Sequence, residues 1–83
     1  MDRKEIVEKV NEFLVEEFEV DESEIAPDAP LIETVDLDSL DFVDLVVIIE
    51  DIFGFKVTID DFKRMETFED FYDFIDGKLK QMA

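Results

Sequence analysis

Three stretches of this chain repeat apolar residues at steps of three and four, and three such stripes in 83 residues leave space for little besides a helical bundle. The first stripe is Ile6, Val10, Phe13, Leu14 and Phe18, one face of a helix that Asp2 can cap. The second is Phe42, Leu45, Val46, Ile49 and Phe53. Asp38 stands at its N-cap, with Asp41 in the acidic slot of a capping-box-like pattern, and Gly54 stops it. The β-branched run Val46 to Ile49 suits a strand. The acids flanking it at helical spacing, and the length of the segment, argue for helix. The third stripe is Phe68, Phe71, Phe74, Ile75 and Leu79, capped by Thr67 with Asp70 at the matching position. A short helical turn fits Ile59 to Lys63. The pattern predicts an all-α fold, a small helical bundle of three main helices plus one short helix, in a single domain spanning residues 1–83.

Between the first two stripes, Val20 to Asp36 loses the period and holds both prolines, Pro27 and Pro30. Leu31 and Ile32 can pin this long connection to the core. Connections of such length in small domains are often functional.

What chemistry is open to the chain? A domain this small buries a modest core, which disfavours a deep enzyme cleft. Cysteine and histidine are both missing, so thiolate chemistry, the usual general base and the commonest nitrogen ligand are missing too. No specific metal site is expected. Twenty-five acids against eight bases give a formal charge of -17. No base lies between Lys9 and Lys56, where fifteen acids fall. Nucleic acid and anionic membrane surfaces would repel such a chain, and basic protein surfaces would attract it. Solubility alone is the plain reading of the same charge. Asp2-Arg3-Lys4-Glu5 follows Met1 with no apolar run after it. No signal peptide or stable membrane insertion is expected, and the location expected is cytoplasmic.

Ser39 and Ser23 are the two serines, and Ser39 stands out by position, in the first turn of the second stripe's helix directly after the proposed cap. A phosphate ester there would meet unpaired N–H groups and the positive end of the helix dipole. Taken alone, a serine in such a place reads first as a helper in capping.

The words around it say more. Val35-Asp36-Leu37-Asp38-Ser39-Leu40-Asp41-Phe42-Val43-Asp44-Leu45 resembles the Asp-Ser-Leu attachment region of acyl carrier proteins. The likeness runs on through Ile49-Glu50-Asp51-Ile52-Phe53-Gly54-Phe55-Lys56-Val57, Ile59-Asp60-Asp61, Thr67-Phe68 and Asp73-Phe74-Ile75. It reaches back to Asp28-Ala29-Pro30-Leu31-Ile32-Glu33 and covers almost the whole chain.

The resemblance implies an acyl-carrier-like bundle that is not an enzyme. Ser39, flanked by Asp38 and Leu40, would receive 4'-phosphopantetheine from coenzyme A through a separate magnesium-dependent phosphopantetheinyl transferase. Acyl groups would ride as thioesters on the thiol of that arm, which explains how a chain without cysteine or histidine can take part in acyl chemistry. The second main helix would meet basic patches on acyl-transfer and fatty-acid or lipid synthesis enzymes, through Asp38, Leu40, Asp41, Val43, Asp44, Val47, Glu50 and Asp51. The acyl pocket would draw on Leu31, Ile32, Phe42, Val46, Ile49, Val57, Phe62, Met65, Phe71 and Phe74, each of which also reads as ordinary core. The high charge points to a monomer.

Two features depart from the family pattern. Asp36 stands where the family commonly has glycine, and aspartate tolerates the left-handed region better than most residues. Phe62 is bulkier than the small residue often found there. These departures hint at a specialised carrier, for lipopolysaccharide, secondary-metabolite or other modified chains. A calcium loop opening at Asp36 fails on spacing, with Asp41 at its sixth position and Val47 at its twelfth. An acidic interaction module without a prosthetic group, and a peptidyl or polyketide carrier, remain the alternatives.

Overall fold

Capping chemistry punctuates the chain. The computed structural model describes residues 2–82; Met1 and Ala83, the ends of the expected 1–83 domain, lie outside them. Helix α1 runs Arg3–Phe18, and Asp2 accepts the Glu5 N–H at its start. A single 3-10 turn occupies Glu22–Glu24. Helix α2 is Leu31–Val35, α3 is Ser39–Phe53, α4 is Ile59–Lys63 and α5 is Phe68–Met82. Asp38 accepts the Asp41 N–H at 2.8 Å, as its sequence position implies. Complete capping boxes, with both bonds, form at Thr58 with Asp61 and at Thr67 with Asp70. Gly54, at φ 85°, ends α3 in the left-handed region and returns its N–H to the Glu50 carbonyl.

The three stripes fold inward as their spacing predicts. Ile6, Val10, Phe13 and Leu14 of α1 meet Leu45, Ile49 and Phe53 of α3 and Phe68, Phe71, Tyr72 and Ile75 of α5 in one continuous apolar core. Phe18, Phe42, Val46, Phe74 and Leu79 are half-buried at its margin. Helices α1 and α5 pack together, and the Tyr72 hydroxyl donates to Asn11 Oδ1 at 2.7 Å between them. Arg3 reaches Asp73 and Asp76 across the same seam.

The long connection holds more structure than its sequence signals. Besides α4, a second short helix, α2, forms within it, with Leu31 and Val35 buried. Pro30 at its N-cap gives no side-chain bond, so nothing local announces the helix. Tertiary bonds hold it instead. Leu31 N–H donates to the Glu66 carbonyl, Phe68 N–H to Ala29, and Glu69 N–H to Pro27, at 2.9, 3.2 and 2.9 Å. Pro30 and Thr67 form an isolated antiparallel bridge there. This tie sets α2 beside the start of α3, where the exposed serine lies.

Candidate functional site

The site begins with a backbone turn. Asp36 caps α2 at φ 50°, ψ 55°, and its N–H returns to the Ile32 carbonyl at 2.8 Å. The left-handed angle that glycine would supply is therefore adopted by aspartate, as its tolerance for that region allows. Leu37 then tucks against the core, Asp38 caps α3, and Ser39 opens the helix with its side chain exposed.

Asp38 spends one carboxylate oxygen on the Asp41 N–H. The Ser39 and Leu40 N–H groups lie in the first helical turn, where no intrahelical acceptor exists. A 15-residue helix also presents the positive end of its dipole here. An exposed hydroxyl, free donors and a favourable dipole fit a phosphodiester on Ser39.

A cleft of about 170 Å³ opens at Ser39. It is lined by Ile32 of α2, Leu37, Asp38, Ser39 and Phe42 around the start of α3, and Ile59, Phe62 and Lys63 of α4. Three of the ten residues expected to receive an acyl chain, Ile32, Phe42 and Phe62, therefore line it. Leu31, Ile49, Val57, Met65 and Phe71 are instead buried in the packed core, and Val46 and Phe74 are half-buried against it. Leu37, Ile59 and Lys63 were not singled out by their sequence. Ile59 and Lys63 are four apart on α4, spacing that places them on one face, which is the available signal. Larger hollows of about 330 and 300 Å³ border α1, but several glutamates line each of them and Ser39 lines neither.

The surface of α3 mixes charge with apolar groups. Leu40, Val43 and Val47 are 77 %, 58 % and 51 % exposed. Asp38, Asp44, Glu50 and Asp51 are exposed on the same helix or its cap, and Asp41 is half-buried. All eight residues expected to meet partners are thus at least partly accessible. Among the described residues, no cluster of acids is arranged to hold a metal ion, and no helix is long and apolar enough to cross a membrane.

Comparison with known proteins agrees with this geometry. A family described as "Phosphopantetheine attachment site" matches residues 8–75. An acyl carrier protein of Thermotoga maritima is 42 % identical over 93 % of this chain and 95 % of its own length. One from Rubrobacter xylanophilus is 36 % identical over 90 % of this chain and 93 % of its own. A third, from Thermosynechococcus vestitus, is 33 % identical over 95 % and 98 %. The chain belongs to the acyl carrier protein family, non-catalytic carriers whose phosphopantetheine attachment domain bears a covalent 4'-phosphopantetheine.

Proposed function

We propose that the chain acts as one carrier domain whose arm is attached to Ser39. The observation that carries this reading is the exposed Ser39 hydroxyl in the first turn of α3, within the matched attachment region. In the loading step Ser39 Oγ bonds to the pantetheine-side phosphorus of coenzyme A. The bond from that phosphorus to the nucleotide half breaks, and the transferase takes the hydroxyl proton. Asp38 keeps the helix start rigid, and Leu40 beside it offers the transferase an apolar contact.

The acidic, partly apolar face of α3 is proposed as the surface that meets partners. Its eight residues run from Asp38 through Leu40, Asp41, Val43, Asp44 and Val47 to Glu50 and Asp51. Each exposed ion pair contributes roughly 0–1 kcal/mol, which suits a carrier that must dock and leave repeatedly. The proposed partners are the transferase and acyl-transfer or lipid-synthesis enzymes with basic docking patches, in the cytoplasm. Asp36 and the bulky Phe62 support a carrier dedicated to a modified acyl chain over a general one.

Intact mass after incubation with coenzyme A, magnesium and a broad-specificity transferase tests the attachment site. One added phosphopantetheine, lost in Ser39→Ala, is the expected result. A folded apo protein that gains no mass would count against it and return the choice to an acidic interaction module or to a carrier that needs its own transferase.

A further inference from the structure

The cleft beside Ser39 meets an aromatic wall. Phe42 of α3 and Phe62 of α4, both lining it, stand edge to face with ring centres 5.6 Å apart and planes at 64°. Phe62 also meets Phe71 of α5 edge to face, at 6.0 Å and 85°. Phe71 is fully buried and does not line the cleft. Three rings in contact thus link α3, α4 and α5 where the surface cleft gives way to packed core. Phe62 is 6 % exposed and is held between the other two.

We infer that this stack is a stop that limits the cargo to short acyl chains, with Phe62 as the residue that sets the length. The inference rests on Ser39 carrying the arm. The cleft is continuous with that attachment point, because Asp38 and Ser39 form part of its lining. Its other walls are Ile32, Leu37, Phe42, Ile59 and Phe62, apolar side chains that solvate an alkyl chain, with Lys63 as the one basic side chain of the lining. Protein interiors are close-packed, so a chain can pass beyond the cleft only by displacing a ring. Displacing Phe62 breaks two aromatic contacts at once. The cleft is small, about 170 Å³, and Phe42 and Phe62 of the stack form part of its wall.

The test loads the protein with butyryl-, hexanoyl-, octanoyl- and dodecanoyl-phosphopantetheine from the corresponding coenzyme A thioesters. Intact mass and peptide mapping first establish one acyl arm on Ser39. Thermal midpoints are then measured for the wild type, Phe62→Ala and Phe62→Leu. The wild-type midpoint is expected to rise over the shorter chains and to level or fall before dodecanoyl. In both variants the rise should continue to longer chains, and Phe62→Leu carries the comparison if Phe62→Ala does not fold. A wild-type midpoint that climbs through dodecanoyl overturns the stop, as does a folded variant with the wild-type profile. An arm that cannot be placed on Ser39 overturns the proposed function and this inference with it. An arm correctly placed with the wrong length profile overturns this inference alone.

Discussion

Two aspartates show how single residues shape the site. Asp36 holds φ 50° where an L side chain is strained, and its short polar group makes the angle tolerable. Asp36→Val should lower unfolding free energy by about 1–2 kcal/mol, because β-branched residues resist that region. Asp36→Gly should leave it near the wild-type value or above, and urea unfolding of the two variants checks both. Asp38 combines a cap with a charge, and the two roles separate by substitution. Asp38→Ala should lose about 1 kcal/mol of stability with the cap. Asp38→Asn should keep the cap and the melting temperature while raising the transferase KM at low salt, because attraction to a basic patch is reduced. An equal loss of stability in both variants would show that the carboxylate charge, and not the capping oxygen, holds the helix start. The turn at Asp36, the cap at Asp38 and the first-turn position of Ser39 were legible in the sequence because each depends on its own backbone neighbourhood, whereas the attachment role of Ser39 was suggested only by the family resemblance. Leu37, Ile59 and Lys63 were not legible, since only the placement of α2 and α4 against α3 brings them to one cleft.

The same division between local and tertiary causes governs the helices. Helices α1, α3 and α5 were readable because each carries a stripe, a cap and more than three turns. Helix α4 also forms where a short turn over Ile59 to Lys63 was expected, and the structure adds the Thr58–Asp61 capping box, which was not anticipated from the sequence. Helix α2 was not readable, since five residues opened by proline have no intrinsic stability and depend on bonds to residues 66–69. The α1–α5 seam carries a titratable group of its own. Burial pushes the Tyr72 phenol above its ordinary value of 10.0, against the opposing pull of Arg3. A raised folded-state pKa favours the protonated form in the native protein. Its contribution is fully present below the unfolded value and is lost as pH rises through the folded one. Stability should therefore fall above about pH 10 more steeply in the wild type than in Tyr72→Phe. Urea titrations across that range, with identical slopes in the two proteins, would refute the assignment.

At the scale of the whole molecule, a net charge of -17 on 83 residues works against compaction. The ion pairs of Arg3 with Asp73 and Asp76, and of Lys80 with Asp76, are mostly solvent-exposed and offset little of it. Added salt, or magnesium at millimolar concentration, should raise the melting temperature by screening or by binding the folded state. A midpoint indifferent to both would mean that self-repulsion does not limit stability. The same repulsion predicts a monomer in light scattering at low salt. The two walls of the cleft are anchored unequally. On one side, the chain before α2 is stitched to the start of α5 by three backbone bonds, from Leu31, Phe68 and Glu69. On the other, α4 is five residues long and is held mainly by the side chains of Phe62 and Met65. In deuterated water the three stitched amides should exchange late, with the last protons of the core, while those of α4 exchange early through local opening. Isotope uptake would then report two kinds of wall: one whose backbone is fixed by bonds across the fold, and one whose backbone opens briefly but is drawn shut again by the buried Phe62 ring between its two aromatic neighbours.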